Sequence, residues 1–141
     1  MTKLQSLPIV AIDDDEEHLA YVTALLARTG RDSLGFTSAR DAIAFMKENP
    51  VELVITDIFM PDMDGFELLR ALSAAFPHVA VVTLSGEGRM TKDFYLECAQ
   101  HLGAVAALRK PFDPDALTRI VEQFAPREAA APRSRKSPKA S

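Results

Sequence analysis

VITDIFMPDMDGFELL, residues 54 to 69, holds two hydrophobic periods end to end. Its opening completes the run VELVIT (51 to 56), which is short, mostly apolar and free of clean polar alternation, as a strand buried on both faces must be. Asp57 follows at once. Asp64 then precedes Phe66, Leu69, Leu72 and Phe76, a three-to-four spacing that predicts a helix stopped by Pro77. A doubly covered strand that hands over to a helix after a short loop is one unit of a parallel α/β sheet.

The same unit recurs outward in both directions. PIVAI (8 to 12), VAVVTL (79 to 84) and AVAAL (104 to 108) are further buried-strand runs, and SLGFT (33 to 37), with Gly35 inside it, suits an edge strand. Asp15 caps a predicted helix with the stripe Leu19, Val22, Leu25 and Leu26, ending near Gly30. Ser38 to Asp41 is a capping-box-like start for a helix ending before Pro50. Thr91 opens a helix carrying Tyr95, Cys98, Ala99 and Leu102 and stopped by Gly103. Asp113, with Pro114 in the first turn, caps a helix whose apolar face is Leu117, Ile120, Val121 and Phe124. The expectation is a (βα)5 chain: a doubly wound, open, parallel five-stranded sheet in the flavodoxin-like order 2-1-3-4-5.

Length and composition agree with one domain and some overhang: 141 residues, 48% hydrophobic and 26% charged. Sixteen basic against twenty acidic residues give a net charge of -4, so the chain lacks the positive field of a nucleic-acid binder. Cys98 is the sole cysteine, which excludes an intramolecular disulfide and a multi-cysteine zinc site and fits a reducing compartment. The amino-terminal apolar stretch stops at Asp13, too short for a secretory signal, and no run approaches membrane-spanning length. The expected setting is cytoplasmic, with neither nucleic acid nor membrane as partner. The domain is expected over residues 1–125. Residues 126–141, PREAAAPRSRKSPKAS, hold five basic residues against Glu128 and no large apolar side chain, so they read as a disordered basic tail. A solvated leftover or linker end is the simpler reading of that tail, an electrostatic docking arm the alternative.

Folds of this class place their chemistry at the carboxyl ends of the strands. Those ends carry Asp13 and Asp14 after the first strand, Asp57 after the third, Ser85 after the fourth and Lys110 after the fifth. In the order 2-1-3-4-5 these strands are neighbours, each roughly 5 Å from the next, so the groups share one rim. Carboxylates gathered there repel by about 4 kcal/mol per close pair at an effective dielectric of about 20, so cations must offset them. A small hard cation, Mg2+, and the Lys110 ammonium answer that need. Beside such a metal a carboxylate can attack phosphorus to form an aspartyl phosphate. In that scheme Asp57 attacks, Asp13 and Asp14 hold the metal, Lys110 pairs with a phosphoryl oxygen and the Ser85 hydroxyl donates to another.

IVAIDDDEEHL, VITDIFMPDMDGFELL, VVTLSG and LRKPF, in that order, closely resemble the receiver domain of two-component response regulators, over about residues 7 to 125. The resemblance implies Asp57 as phosphoacceptor, Asp13 and Asp14 as the acidic pocket, and the backbone carbonyl of Phe59 as a further Mg2+ ligand. It implies Ser85 as switch hydroxyl, Lys110 as the pocket lysine, a cis Lys110–Pro111 peptide, and Pro61 and Gly65 shaping the loop after Asp57. Function would follow as phosphorelay signalling: phosphoryl transfer from a sensor histidine kinase or a histidine phosphotransfer protein, switching contacts with a downstream protein target. Such a chain is no enzyme beyond its own phosphorylation and autodephosphorylation. The alternative is a receiver-like interaction module that works without phosphorylation.

Departures from the pattern sharpen these expectations. Three successive aspartates, Asp13 to Asp15, leave the acidic pair open by one residue; Asp13 and Asp14 directly follow the strand, which leaves Asp15 to cap the helix. The aromatic switch position holds Ala107, so an aromatic rotamer change is no readout there. Phe59 and Glu87 stand at positions that tune phosphoryl lifetime in the family, and GEGRM (86 to 90) enlarges the loop before the fourth predicted helix.

Competing chemistries fit poorly. An EF-hand reading of Asp62, Asp64 and Gly65 puts Met60 at position one and Ala71 at position twelve. A haloacid-dehalogenase-like phosphatase needs a second aspartate two residues past the nucleophile, where Phe59 stands. His18, His78 and His101 show no metal-pair spacing and read as surface histidines; Cys98 reads as a small core residue. Glu16 and Glu17 favour a helix amino terminus, and Arg109 reads as a solvated edge side chain before it reads as a partner contact.

Overall fold

The computed structural model describes residues 7–58, 65–85 and 102–126. The expected helix opening at Thr91, with Tyr95, Cys98 and Ala99, lies outside the described residues. So do Phe59, Pro61, Asp62, Asp64, Glu87, the 86–90 loop, His101 and the expected tail beyond Pro126.

Five strands form one parallel sheet: β1 (Ile9–Ile12), β2 (Ser33–Phe36), β3 (Leu53–Asp57), β4 (Ala80–Ser85) and β5 (Ala106–Arg109), in the order β2-β1-β3-β4-β5. Four helices are described: α1 (Glu16–Ala27), α2 (Ala39–Glu48), α3 (Gly65–Ala75) and α4 (Pro114–Phe124). The doubly wound α/β class and its strand order are as expected, and SLGF is indeed an edge strand, with Leu34 and Gly35 exposed.

Period-two alternation of the strands divides the core. Val10, Ile12, Val54 and Val81 face Ala42, Met46, Leu68, Leu69 and Leu72 of α2 and α3. Ile9, Ala11, Leu53, Ile55, Val82 and Leu84 face Val22, Leu25 and Leu26 of α1 and Leu117 and Val121 of α4. The inner strands β1, β3 and β4 are buried on consecutive positions because each of their faces meets a helix layer.

Local chemistry starts the helices where the sequence predicts. The Asp15 carboxylate accepts from the amides of Glu17 at 3.0 Å and His18 at 3.3 Å. Ser38 accepts from Asp41 N–H at 3.3 Å, and Asp113 from Asp115 N–H at 2.9 Å with Pro114 in the first turn. Gly103, with φ of 101°, occupies the left-handed region that glycine tolerates.

One polar staple holds the opposite end of the sheet. Buried Arg31 donates to the carbonyls of Leu7 at 2.8 Å and Ala125 and to the Glu52 carboxylate at 2.6 Å. It thereby joins the segments entering β1, β2 and β3 to the carboxyl end of α4.

Strand ends differ slightly from the sequence pattern. Asp57 and Ser85 are the last residues of β3 and β4, where the apolar runs stop one residue earlier. The ladder continues because backbone pairing is indifferent to side-chain polarity: Asp57 pairs with Leu84, Ile58 N–H donates to Leu84 O at 3.0 Å and Lys110 N–H to Ser85 O at 2.7 Å.

Candidate functional site

The carboxyl ends of β1, β3, β4 and β5 bring the predicted groups together. Asp13 follows β1, with its amide donating to Phe36 O at 3.1 Å, and only 1% of it is exposed. Asp57 and Ser85, ending β3 and β4, are 5% and 3% exposed. Lys110 lies one residue past β5, and its peptide to Pro111 is cis, as the resemblance implied.

Three carboxylates meet here. Asp13, Asp14 and Asp57 each offer an oxygen within 4.8 Å of the other two; Asp14 is exposed and the other two are buried. The Lys110 ammonium spans the buried pair, with Nζ 3.3 Å from Asp13 Oδ2 and 3.5 Å from Asp57 Oδ2. An ammonium between two buried carboxylates offsets charge that the low-dielectric interior would otherwise penalise. Asp15 stands apart from this group as the cap of α1, which separates it from Asp13 and Asp14 as the order along the chain suggested.

Asp13 is held from several sides. Its Oδ1 accepts from Asp15 N–H at 3.0 Å, and its Oδ2 meets His18 Nδ1 at 2.6 Å as well as Lys110. His18 therefore corrects the sequence reading: expected on the surface, its side chain is only 20% exposed and faces the pocket. The reason is the cap itself. Asp15 starts α1 so close to β1 that the first turn returns His18 over Asp13. The usable signal was a histidine in the first helical turn directly after an acidic pair. His78 is exposed as expected, and so is Arg109.

Other buried polar groups sit just beneath. Thr56 and Thr83 face each other across β3 and β4 and are 1% and 0% exposed; Thr56 Oγ1 donates to the Asp57 carbonyl at 2.9 Å. Ala107, at the expected aromatic position, pairs with Thr83 in the sheet and is half-buried. Chemically, the described residues form a hard-oxygen pocket with the Lys110 ammonium in it, and Ser85 ends the strand beside Asp57. It suits a small divalent cation and an incoming oxyanion.

Comparison with known proteins agrees with this geometry. The family model "Response regulator receiver domain" matches residues 9–122. The transcriptional regulatory protein FixJ of Azorhizobium caulinodans is 35% identical over 128 residues, covering 89% of this chain and 58% of that protein. The autoinducer 1 sensor kinase/phosphatase LuxN of Vibrio harveyi is 34% identical over 83 residues, 59% of this chain and 10% of that protein. Among solved structures, a response regulator receiver domain protein from Clostridium thermocellum superposes with a TM-score of 0.76 at 30% identity, covering 84% of this chain and 94% of that one. The chain spans about half the length of the curated relatives it matches first. Among the described residues no helix is long and apolar enough to cross a membrane. With the family model over most of its length and the acidic pocket at the strand ends, this chain belongs to the response regulator receiver domains, the phosphoryl-accepting modules of two-component signalling.

Proposed function

We propose that Asp57 is the phosphoacceptor of a phosphorelay switch, loaded by a sensor histidine kinase or a histidine phosphotransfer protein and read by a downstream protein target. The observation that carries the proposal is the Asp57 carboxylate, 5% exposed, with Lys110 Nζ at 3.5 Å and the oxygens of Asp13 and Asp14 beside it. An Asp57 oxygen attacks phosphorus, and the donor's bond to phosphorus breaks with its electron pair leaving on the donor. Lys110, already between Asp13 and Asp57, pairs with a phosphoryl oxygen, and the Ser85 hydroxyl at the end of the adjoining strand donates to another.

Among the described residues the donor set fits Mg2+: carboxylate oxygens from Asp13, Asp14 and Asp57, the first and last of these residues buried, without sulfur or a ring nitrogen among them. Asp13, Asp14 and Asp57 would hold the ion, with the Phe59 carbonyl as a further ligand on the family pattern. When bound, Mg2+ neutralises charge on the phosphoryl oxygens. The chain itself acts as acceptor and switch; its chemistry is confined to its own phosphorylation and dephosphorylation. Protein surfaces rather than nucleic acid or membrane are its partners in this reading, consistent with its net charge of -4.

A second reading, a receiver-like module working without phosphorylation, draws on Ala107, which removes the aromatic ring from the usual output route. One experiment separates the two. Intact-mass spectrometry after incubation with acetyl phosphate, with and without Mg2+, is expected to show a single Mg2+-dependent phosphoryl adduct on the wild type and none on Asp57→Asn. No adduct on the wild type, under conditions that label a control receiver, would overturn the phosphorelay reading in favour of the second.

A further inference from the structure

We infer that His18 is a positioning residue for the cation pocket, fixing the Asp13 carboxylate and thereby raising the affinity for a divalent ion. The inference deepens the reading of Asp13, Asp14 and Asp57 as an Mg2+ pocket and rests on it.

The ring sits 2.6 Å from Asp13 Oδ2 through Nδ1. An ionised carboxylate only accepts hydrogen bonds, so Nδ1 carries the proton and donates. Contacts of this kind to a charged oxygen are short and strong. The ring is itself held: its backbone amide is capped by Asp15, and Tyr21 and Phe112 stand 5.9 Å and 6.2 Å away, centroid to centroid, the latter edge-on at 84°. Phe112 comes from the turn after Lys110, so the ring bridges α1 to the segment that carries the pocket lysine.

Asp13 needs such support because Lys110 competes for the same oxygen that His18 holds. Oδ1 takes the Asp15 amide, while Oδ2 is shared between His18 and the ammonium at 3.3 Å. His18 occupies one direction on Oδ2 and holds the carboxylate in a single orientation, with acceptor capacity left on Oδ1 beside its bond from Asp15. Without it, among the described residues the ammonium is the side-chain partner that remains on Oδ2, free to close on it. A cation must then displace Lys110 and also order the carboxylate. Hydrogen bonds to ligating groups typically alter metal affinity by 10- to 100-fold when removed.

The test is Mg2+ titration by calorimetry on the full chain, starting from metal-free protein. His18→Leu keeps apolar bulk against Tyr21 and Phe112 but has no donor; His18→Asn places an amide N–H near the Nδ1 position. Expected are a dissociation constant raised about tenfold in His18→Leu and restored to within about threefold of wild type in His18→Asn. With acetyl phosphate, the Mg2+ concentration giving half-maximal labelling should rise in parallel, with the maximal rate preserved at saturating Mg2+. Equal affinity in wild type and His18→Leu would overturn the inference while leaving the pocket reading intact. Equal weakening in both variants would also overturn it, since ring packing would then matter and the donor would not. A wild type that binds no Mg2+ would overturn the pocket reading and the inference with it. Should His18→Leu fail to fold, the wild-type ring decides by 1H–15N correlation: a proton on Nδ1 is expected, and a neutral ring protonated on Nε2 alone refutes the role.

Discussion

Gly65→Ala tests how the fold positions Asp57. An ideal Cβ on Gly65 collides with the Ile58 carbonyl oxygen and lies 2.5 Å from its Cα and 2.6 Å from its carbonyl carbon. Comfortable separations between carbon atoms are about 3.5–4.0 Å, so something must yield by about 1 Å. Neither side yields easily. Ile58 is buried and its N–H is tied to Leu84 O at 3.0 Å, while Gly65 begins α3, whose Leu68, Leu69 and Leu72 are locked in the core. Alanine's better helix propensity returns at most about 1 kcal/mol, and less at a first helical residue. Overpacking typically costs about 1–3 kcal/mol, and a collision with backbone belongs at the upper end. A net loss of about 2 kcal/mol follows, or about 8 °C in Tm for a domain of this size. Since Ile58 adjoins Asp57, the displacement reaches the proposed nucleophile, and labelling by acetyl phosphate should slow at least about tenfold. Gly35→Ala is the internal control: its Cβ meets the flexible Leu19 side chain at 3.1–3.2 Å, so its cost should stay under about 1 kcal/mol. Urea denaturation followed by circular dichroism, with a mass-spectrometric labelling time course, reads both effects. Wild-type stability in Gly65→Ala, or a loss no larger than in Gly35→Ala, would refute the reasoning.

Asp15→Ala should lose about 1 kcal/mol of stability through the α1 cap yet keep Mg2+ affinity within about threefold, whereas Asp14→Asn should weaken Mg2+ binding without that stability loss. Calorimetric titration that ranks them the other way would reassign the acidic pair. Lys110→Met removes the ammonium between Asp13 and Asp57 and should destabilise the metal-free protein by about 2 kcal/mol, with Mg2+ raising its Tm more than that of wild type. Equal stability in EDTA would contradict this. Arg31→Leu leaves the Leu7 and Ala125 carbonyls without this donor and should cost about 2–4 kcal/mol in urea denaturation, a change under about 0.5 kcal/mol being the contrary result.

Much of this architecture was legible because it rests on local chemistry. PIVAI and VELVIT lie in strands covered on both faces, so apolar residues occupy consecutive positions and reveal their doubly wound setting. Asp15, Ser38 and Asp113 cap helices through amides two or three residues away, within reach of a sequence window. The ends of β3 and β4 were less visible, since Asp57 and Ser85 continue the ladder as polar residues. The strand-end groups could be gathered in advance because parallel topology places every carboxyl end on one rim, whatever the side chain.

Residues that act across the fold were not legible in the same way. Arg31 reaches the Ala125 carbonyl, 94 residues away, and no periodicity marks it, since a single arginine before an edge strand is equally at home in solvent. His18 is the instructive case, for its partner is only five residues distant. Helical spacing places it at the edge of the α1 stripe, where a histidine is ordinarily solvated. Three facts bear on how it turns inward: a strand ending at Ile12, a cap at Asp15 with only Asp13 and Asp14 between, and Phe112 arriving edge-on from the far end of the chain. The first two are readable in IVAIDDDEEH, and they suffice to bring the first turn of α1 over Asp13. The third is tertiary, and it helps lodge the ring in the pocket instead of leaving it on the surface. Function in this fold therefore divides along that line. The proposed acceptor and its charges follow from where parallel strands end, whereas the groups proposed to tune them follow from which helix turn and which later loop converge on the same carboxylate.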